Sequence, residues 1–154
     1  MRAAIFTIDS GAYKAKAESA AASALKRMLE QVGLEVKAAG LLPQEREVVS
    51  SVMRQLSDSG SVELILTTGA TGYMEGDCAP DALSDVAECM LPGIPEALRA
   101  YNLRYSKKAV LDRMAAGIRK GTLIINLPES AKTAKEDMEY ILPEVVQVVE
   151  NINL

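Results

Sequence analysis

Residues 62–72 read VELILTTGATG, a run from which the architecture of the whole chain can be worked out. Leu64, Ile65 and Leu66 follow one another without the polar alternation of a half-buried strand, so Val62–Thr68 is expected to be covered on both faces. It runs straight into Gly69-Ala70-Thr71-Gly72, a glycine-rich loop of the kind that leaves the carboxyl end of a parallel strand. Upstream, Ala3–Ile8 has the same buried character and closes on Asp9-Ser10-Gly11. A helix is predicted over Ala17–Val32. Ala21, Ala24, Leu25, Met28, Leu29 and Val32 share one face, while Glu18, Lys26, Arg27 and Glu30 solvate the other, and Gly33 stops it. Leu34–Gly40 is expected to be a second strand. Glu45–Ser57 reads as a second helix through Val48, Val49, Val52, Met53 and Leu56. Downstream, short helices are predicted at Pro80–Cys89 and Pro95–Tyr105, each with proline near its start. Thr122–Leu127 reads as a strand after turn chemistry at Gly117–Gly121, Val110–Ala116 as another, and helices at Thr133–Ile141 and Glu144–Asn151 finish the chain. Strands alternating with helices imply right-handed crossovers and a mostly parallel sheet in a three-layer α/β/α architecture, with residues 1–154 forming one domain.

Composition narrows the chemistry. The 154 residues contain no histidine, which excludes imidazole general bases, Ser-His-Asp triads and His-ligated metals. Seventeen basic against twenty-one acidic residues leave a net charge of −4, so no nucleic-acid footprint is expected. One Phe, five Tyr and no Trp provide little for base stacking. No apolar run approaches the ~20 residues of a membrane helix, and the first residues lack the length of a signal peptide's apolar core. Cys78 and Cys89 are too few and too far apart in sequence for a metal knuckle. A reduced, cytoplasmic protein is the simplest expectation.

Candidate chemistry gathers in three loops at the carboxyl ends of strands: Asp9–Gly11, Gly69–Pro80 and Pro128–Ser130. Glycines and hydroxyls in TTGATG let backbone N–H groups converge on an anion, although the same glycines also suit a plain tight turn. Asp77, a few residues on, is of the type that holds Mg²⁺ together with phosphate oxygens, or that caps a helix. Asp9 reads better as a turn residue. Ser130 can cap the following helix, and Thr133 with Glu136 reads as a capping box. The basic residues Arg99, Arg104, Lys107, Lys108, Arg113, Arg119 and Lys120 are expected mostly on solvated faces, with one or two reaching a phosphate.

LILTTGATG, EGDCAPDAL, LPGIPEALR, AAGIR and TLIINLP, in this order and spacing, together resemble the MoaB/Mog family of molybdenum cofactor biosynthesis. The likeness covers nearly the whole chain, is densest over residues 64–132, and is closer to the MoaB branch. It implies a compact α/β/α domain that binds molybdopterin and assembles as a homotrimer, with a hexamer as the alternative. Active members transfer AMP from Mg-ATP to the terminal phosphate of molybdopterin. By this resemblance Thr68, Gly69, Ala70, Thr71 and Gly72 belong to the loop that holds the pterin phosphate. Asp77 is the carboxylate that organises Mg²⁺ and the reacting phosphates, and Pro128, Glu129 and Ser130 line the same pocket. The chain departs from the family pattern at several of these places. Ala70 replaces a glycine, Gln44 a common aspartate, Asp112 a frequent serine and Glu129 a glycine, while Ala15 and Glu18 break the pattern after the first strand. Three readings follow: a molybdopterin adenylyltransferase, a binding module that holds a pterin or nucleotide without transfer, and a diverged scaffold serving another partner.

Overall fold

The computed structural model describes residues Met1–Leu154. Its six strands are β1 (Arg2–Ile8), β2 (Glu35–Leu42), β3 (Leu64–Thr68), β4 (Cys89–Met90), β5 (Ala116–Arg119) and β6 (Thr122–Leu127). They form one sheet in the order β2-β1-β3-β6-β5-β4. The pairs β1–β2, β1–β3 and β3–β6 are parallel, whereas β5 runs antiparallel to both β6 and β4. The six helices are α1 (Ser10–Ala15), α2 (Ala20–Gln31), α3 (Arg46–Asp58), α4 (Ala79–Val86), α5 (Gly93–Leu103) and α6 (Ala131–Ile152).

Both faces of the sheet are covered, as continuous apolar strands demand. Alternate residues of β1, β3 and β6 enter opposite core halves. Ile5, Leu64, Leu66, Leu123 and Ile125 are among twenty buried residues beneath α2, α5 and α6, while Ala4, Ile65 and Ile124 are among twelve beneath α3 and α4. β2, at the sheet edge, buries none of its residues fully. The α2 stripe is buried through Ala21, Leu25, Met28 and Leu29, whereas Val32 caps the helix and is exposed. None of the helices is long and apolar enough to cross a membrane.

Four local expectations are corrected. The segment after Ile8 is a helix rather than a turn, because Asp9 Oδ1 accepts from Ala12 N at 3.0 Å and so caps α1. The next helix then begins only at Ala20, with Ser19 as its cap. Residues 110–116 are not a strand: Ser106 starts a 3₁₀ turn over Lys107–Leu111, and extended pairing begins at Ala116. The predicted Pro80–Cys89 helix ends at Val86, which releases Cys89–Met90 to pair with β5.

The two expected C-terminal helices are one, with Pro143 inside it. A proline in a helix interior costs about 3 kcal/mol. The buried stripe Ala134, Met138, Ile141, Val145 and Val149 nevertheless runs on without a change of face. Burying two valines beyond the proline returns roughly 1.5–3 kcal/mol each, which outweighs the loss.

Candidate functional site

Because β3 and β6 are parallel neighbours with Thr68 opposite Leu127, the loops that follow them leave the sheet together. Gly69 N donates to Leu127 O at 3.1 Å and ties the two loops at their roots. Beyond lies a cleft of about 460 Å³ lined by Ala70, Thr71, Gly72, Tyr73, Asp77, Lys108, Leu111, Asp112 and Glu129. A second cleft, of about 360 Å³, is lined by Asn102, Tyr105, Ser106, Pro128, Lys132, Thr133 and Glu136, among others, and shares Lys108 and Asp112 with the first. The two adjoin across Lys108 and Asp112 at the carboxyl end of the sheet, where open α/β proteins bind ligands.

Loop geometry explains the glycines. Gly69 has φ +85°, and a Cβ there would stand 2.9 Å from the Ile8 carbonyl oxygen, a backbone atom that cannot yield. A Cβ on Gly72 would meet Asp77 Oδ2 at 2.6 Å, so glycine is what allows the Asp77 carboxylate to lie against the loop. Ala70 sits at φ +57°, a left-handed conformation that costs a residue with a side chain roughly 1–2 kcal/mol. Ala70→Gly relieves that strain but frees the unfolded chain by about 0.4–1 kcal/mol. The net expectation is a gain of roughly 0.5 kcal/mol, read as a higher urea midpoint. A lower midpoint would show that the Ala70 methyl, packed against the α3–α4 side of the core, outweighs its backbone strain.

Asp77 is not a cap of α4, since the N-cap is Cys78 and no side chain caps that helix. Its Oδ2 instead accepts from Met74 N at 2.9 Å and closes the turn before the helix. Its Oδ1 receives no hydrogen bond from the protein, and the residue lines the cleft. Asp112 and Glu129 line it too. No group of three or more acidic, cysteine or histidine side chains converges closely enough to hold a metal. The donor set therefore fits a hard cation that arrives with phosphate oxygens and takes one carboxylate, as Mg²⁺ does. It does not fit a cation caged by protein alone.

The remaining expected site residues are distributed unevenly. Thr71 is in the cleft, but its hydroxyl donates to Asp112 Oδ2 at 3.0 Å, so the donor a phosphate would use is already engaged. Asp112 also accepts from Met114 N at 2.7 Å. Burial raises its carboxyl pKa, and the bonds from Met114 N and Thr71 only partly offset this. Thr68 is fully buried with its Oγ1 3.1 Å from Thr7 Oγ1, so it faces the sheet interior and not the cleft. Pro128 lines the second cleft and Glu129 the first. Ser130 caps α6 by accepting from Thr133 N at 3.3 Å. The helix thus starts before Thr133, and the capping box expected at Thr133–Glu136 does not form.

Gln44 lies behind the cleft as a bridge. Its Nε2 donates to Gly76 O at 3.2 Å and its Oε1 accepts from Ser10 N at 3.3 Å. An aspartate in its place could not donate to that carbonyl. Arg113, expected on a solvated face, instead clasps the loop. Its backbone N–H donates to Thr71 O, Nε to Gly72 O and Nη2 to Asp77 O, each at 2.7 Å, and it pairs with Asp81 at 3.1 Å. Arg99 donates to the carbonyls of Asp112 and Met114. Lys108 is the basic side chain shared by both clefts.

Comparison with known proteins agrees with this architecture. The profile of a family described as "Probable molybdopterin binding domain" matches residues 4–147. A molybdopterin adenylyltransferase of Helicobacter pylori is 36% identical over 112 residues, 73% of this chain and 64% of that protein. The corresponding Escherichia coli K12 protein is 39% identical over 101 residues, 66% of this chain and 52% of that protein. The chain thus spans less than two thirds of the length of either relative. Among solved structures, the molybdopterin biosynthesis enzyme MoaB of Thermus thermophilus superposes with a TM-score of 0.89 at 33% identity, covering 98% of this chain and 95% of that one. With a mostly parallel sheet in a three-layer fold, loops that meet at its strand ends, and a profile that spans nearly its whole length, the chain belongs to the molybdopterin-binding domain family.

Proposed function

We propose that this protein, acting through residues 1–154 as one unit, transfers AMP from Mg-ATP to the terminal phosphate of molybdopterin. The observation that carries the reading is the convergence of Ala70–Gly72, Asp77 and Glu129 on one cleft, with Pro128 in an adjoining cleft that shares Lys108 and Asp112. A donor phosphate and a heterocycle can occupy such adjoining volumes at once. In the reaction an oxygen of the pterin's terminal phosphate attacks the α-phosphorus of ATP, and pyrophosphate leaves. No side-chain nucleophile is needed, so positioning and charge compensation do the work.

The Gly69–Gly72 loop orients the pterin phosphate through backbone N–H groups. Lys108, common to both clefts, offsets the charge of the phosphate chain. When bound, Mg²⁺ neutralises the phosphates and polarises the bond to the leaving pyrophosphate. Asp77, through its free Oδ1, is the residue that would hold it. Arg113 keeps Asp77 and Gly72 together by bonding both carbonyls.

A second reading is favoured by one feature. Asp77, Asp112 and Glu129 face a cleft in which Lys108 is the only cationic lining residue. That balance suits a pterin-binding protein that does not gather polyphosphate. Incubation with molybdopterin and Mg-ATP separates the two, because transfer yields adenylylated pterin and pyrophosphate in equal amounts. Pterin binding by calorimetry with neither product would establish the binding module.

The same reading includes a cytoplasmic setting, consistent with two unpaired thiols, one buried and one exposed. It also includes a homotrimer. An apolar groove of about 570 Å³ beside β4, lined by Leu91, Ile94, Tyr140, Ile141 and Val148 among others, offers a second copy a surface to cover. Light scattering at micromolar concentration is expected to return three times the 16.5 kDa chain mass. A single chain mass would refute the trimer, and six chains would indicate paired trimers.

A further inference from the structure

Asp137 lies on α6 with its side chain fully buried against α5. One carboxylate oxygen accepts from Asn102 Nδ2 at 3.0 Å, and the other is buried without any partner. An aspartate in a helix–helix contact is a poor choice for stability, since an apolar side chain would avoid the desolvation. Its consequence falls on Asn102. An ionised carboxylate only accepts hydrogen bonds, so the carboxamide must turn its amino group inward.

Asn102 lines the second cleft. Its Oδ1 is not buried and receives no hydrogen bond from the protein. Its backbone is held as well, because Asn102 O accepts from the amides of Tyr105 and Ser106 at the end of α5. Two further acceptors, the carboxylates of Asp112 and Glu136, line the same cleft. The donors of this cleft, Lys108, Lys132 and the hydroxyls of Tyr105, Ser106 and Thr133, leave the Asn102 oxygen without a partner.

We infer that Asp137 is a positioning residue for ligand recognition: by holding the Asn102 amino group inward it presents an acceptor oxygen to the cleft, which selects heterocycles whose edge carries hydrogen-bond donors. The chemical class is a bicycle with an exocyclic amino group beside a ring N–H, as in a pterin. An analogue with a carbonyl in place of the amino group brings two oxygens face to face. The inference rests on the pterin reading of this cleft and adds the residue pair that would discriminate.

Pterin-6-carboxylate and lumazine-6-carboxylate differ at that edge, and both can be titrated by fluorescence at about pH 7, where the Asp137 carboxylate is mostly ionised and the ring N–H is retained. The wild-type protein is expected to favour the pterin about tenfold, the usual penalty for an unmet acceptor. Asp137→Asn can donate as well as accept, so the Asn102 amide is free to turn and the preference should fall to about unity. Adding Asn102→Asp to that variant should restore it, since a carboxylate has no amino group to present. A merely structural role for Asp137 would shift both affinities together and leave their ratio intact. An unchanged ratio in Asp137→Asn, no preference in the wild type, or no binding of either probe overturns the inference. Pterin selectivity without AMP transfer would leave it standing and refute the transferase reading alone.

Discussion

Asp77→Asn is expected to lower AMP transfer by about 10²–10³, with little change in pterin binding. The substitution keeps the size of the side chain and an oxygen able to accept from Met74 N, the bond that closes the turn at 2.9 Å. What it removes is the charge on an oxygen that has no other partner in the protein. Because Gly72 must lack a Cβ for that carboxylate to lie where it does, the loop and the charge form one unit. An interaction that matters only as charge develops lowers kcat more than it raises KM. Initial rates of adenylylated pterin formation, together with direct pterin titration, provide the check. Equal losses in rate and binding would mean that Asp77 holds the loop and does not act on the phosphates.

Asp137→Asn is expected to make the protein more stable at neutral and higher pH, and the gain should vanish in acid. Burial pushes the Asp137 carboxyl up to about 6, with the bond from Asn102 opposing and the charges of Asp112 and Glu136 adding to the shift. The ordinary value in the unfolded chain is 3.8. A pKa raised by folding means the native state favours the protonated form. The group therefore costs no stability below about pH 4. The cost grows as pH rises from about 4 to about 6 and is constant above. Two pKa units at 1.36 kcal/mol each amount to roughly 3 kcal/mol.

Asparagine escapes that cost but leaves its own amino group unpaired in the same site, at about 1–2 kcal/mol. The net gain above pH 7 is then roughly 1–2 kcal/mol, with wild type at least as stable as the variant below pH 4. Urea midpoints for both proteins between these limits test the claim. A difference that does not vary with pH would show that folding leaves the Asp137 pKa unshifted.

How much of this could be read before folding differs from one residue to another. The central strands were legible because each is a continuous apolar run, and α2 and α3 because their apolar residues recur at helical spacing. The loops after β3 and β6 could be paired in advance, since parallel neighbours release their chains at the same end of a sheet. Pro143 misled because the local cost of proline is visible in sequence, whereas the buried stripe that carries α6 past it is a property of packing. Asp9 misled in the opposite direction: its turn-forming oxygen became the cap of α1.

The chain by itself determined its layer architecture, its membership of a molybdopterin-binding family, and the strand ends where a ligand would sit. These depend on spacing along the backbone, which is local information. Folding, and not the order of residues, sets which side chains line that cleft. Thr68 turned inward to Thr7, Thr71 donated its hydroxyl hydrogen bond to Asp112 forty-one residues away, and Arg113 closed over Gly72 and Asp77. Asp137 met Asn102 across thirty-five residues. A hydrogen bond between distant segments depends on distances of a few tenths of an ångström. Those are set by how helices seat on the sheet, and no pattern of residue types along one element encodes them.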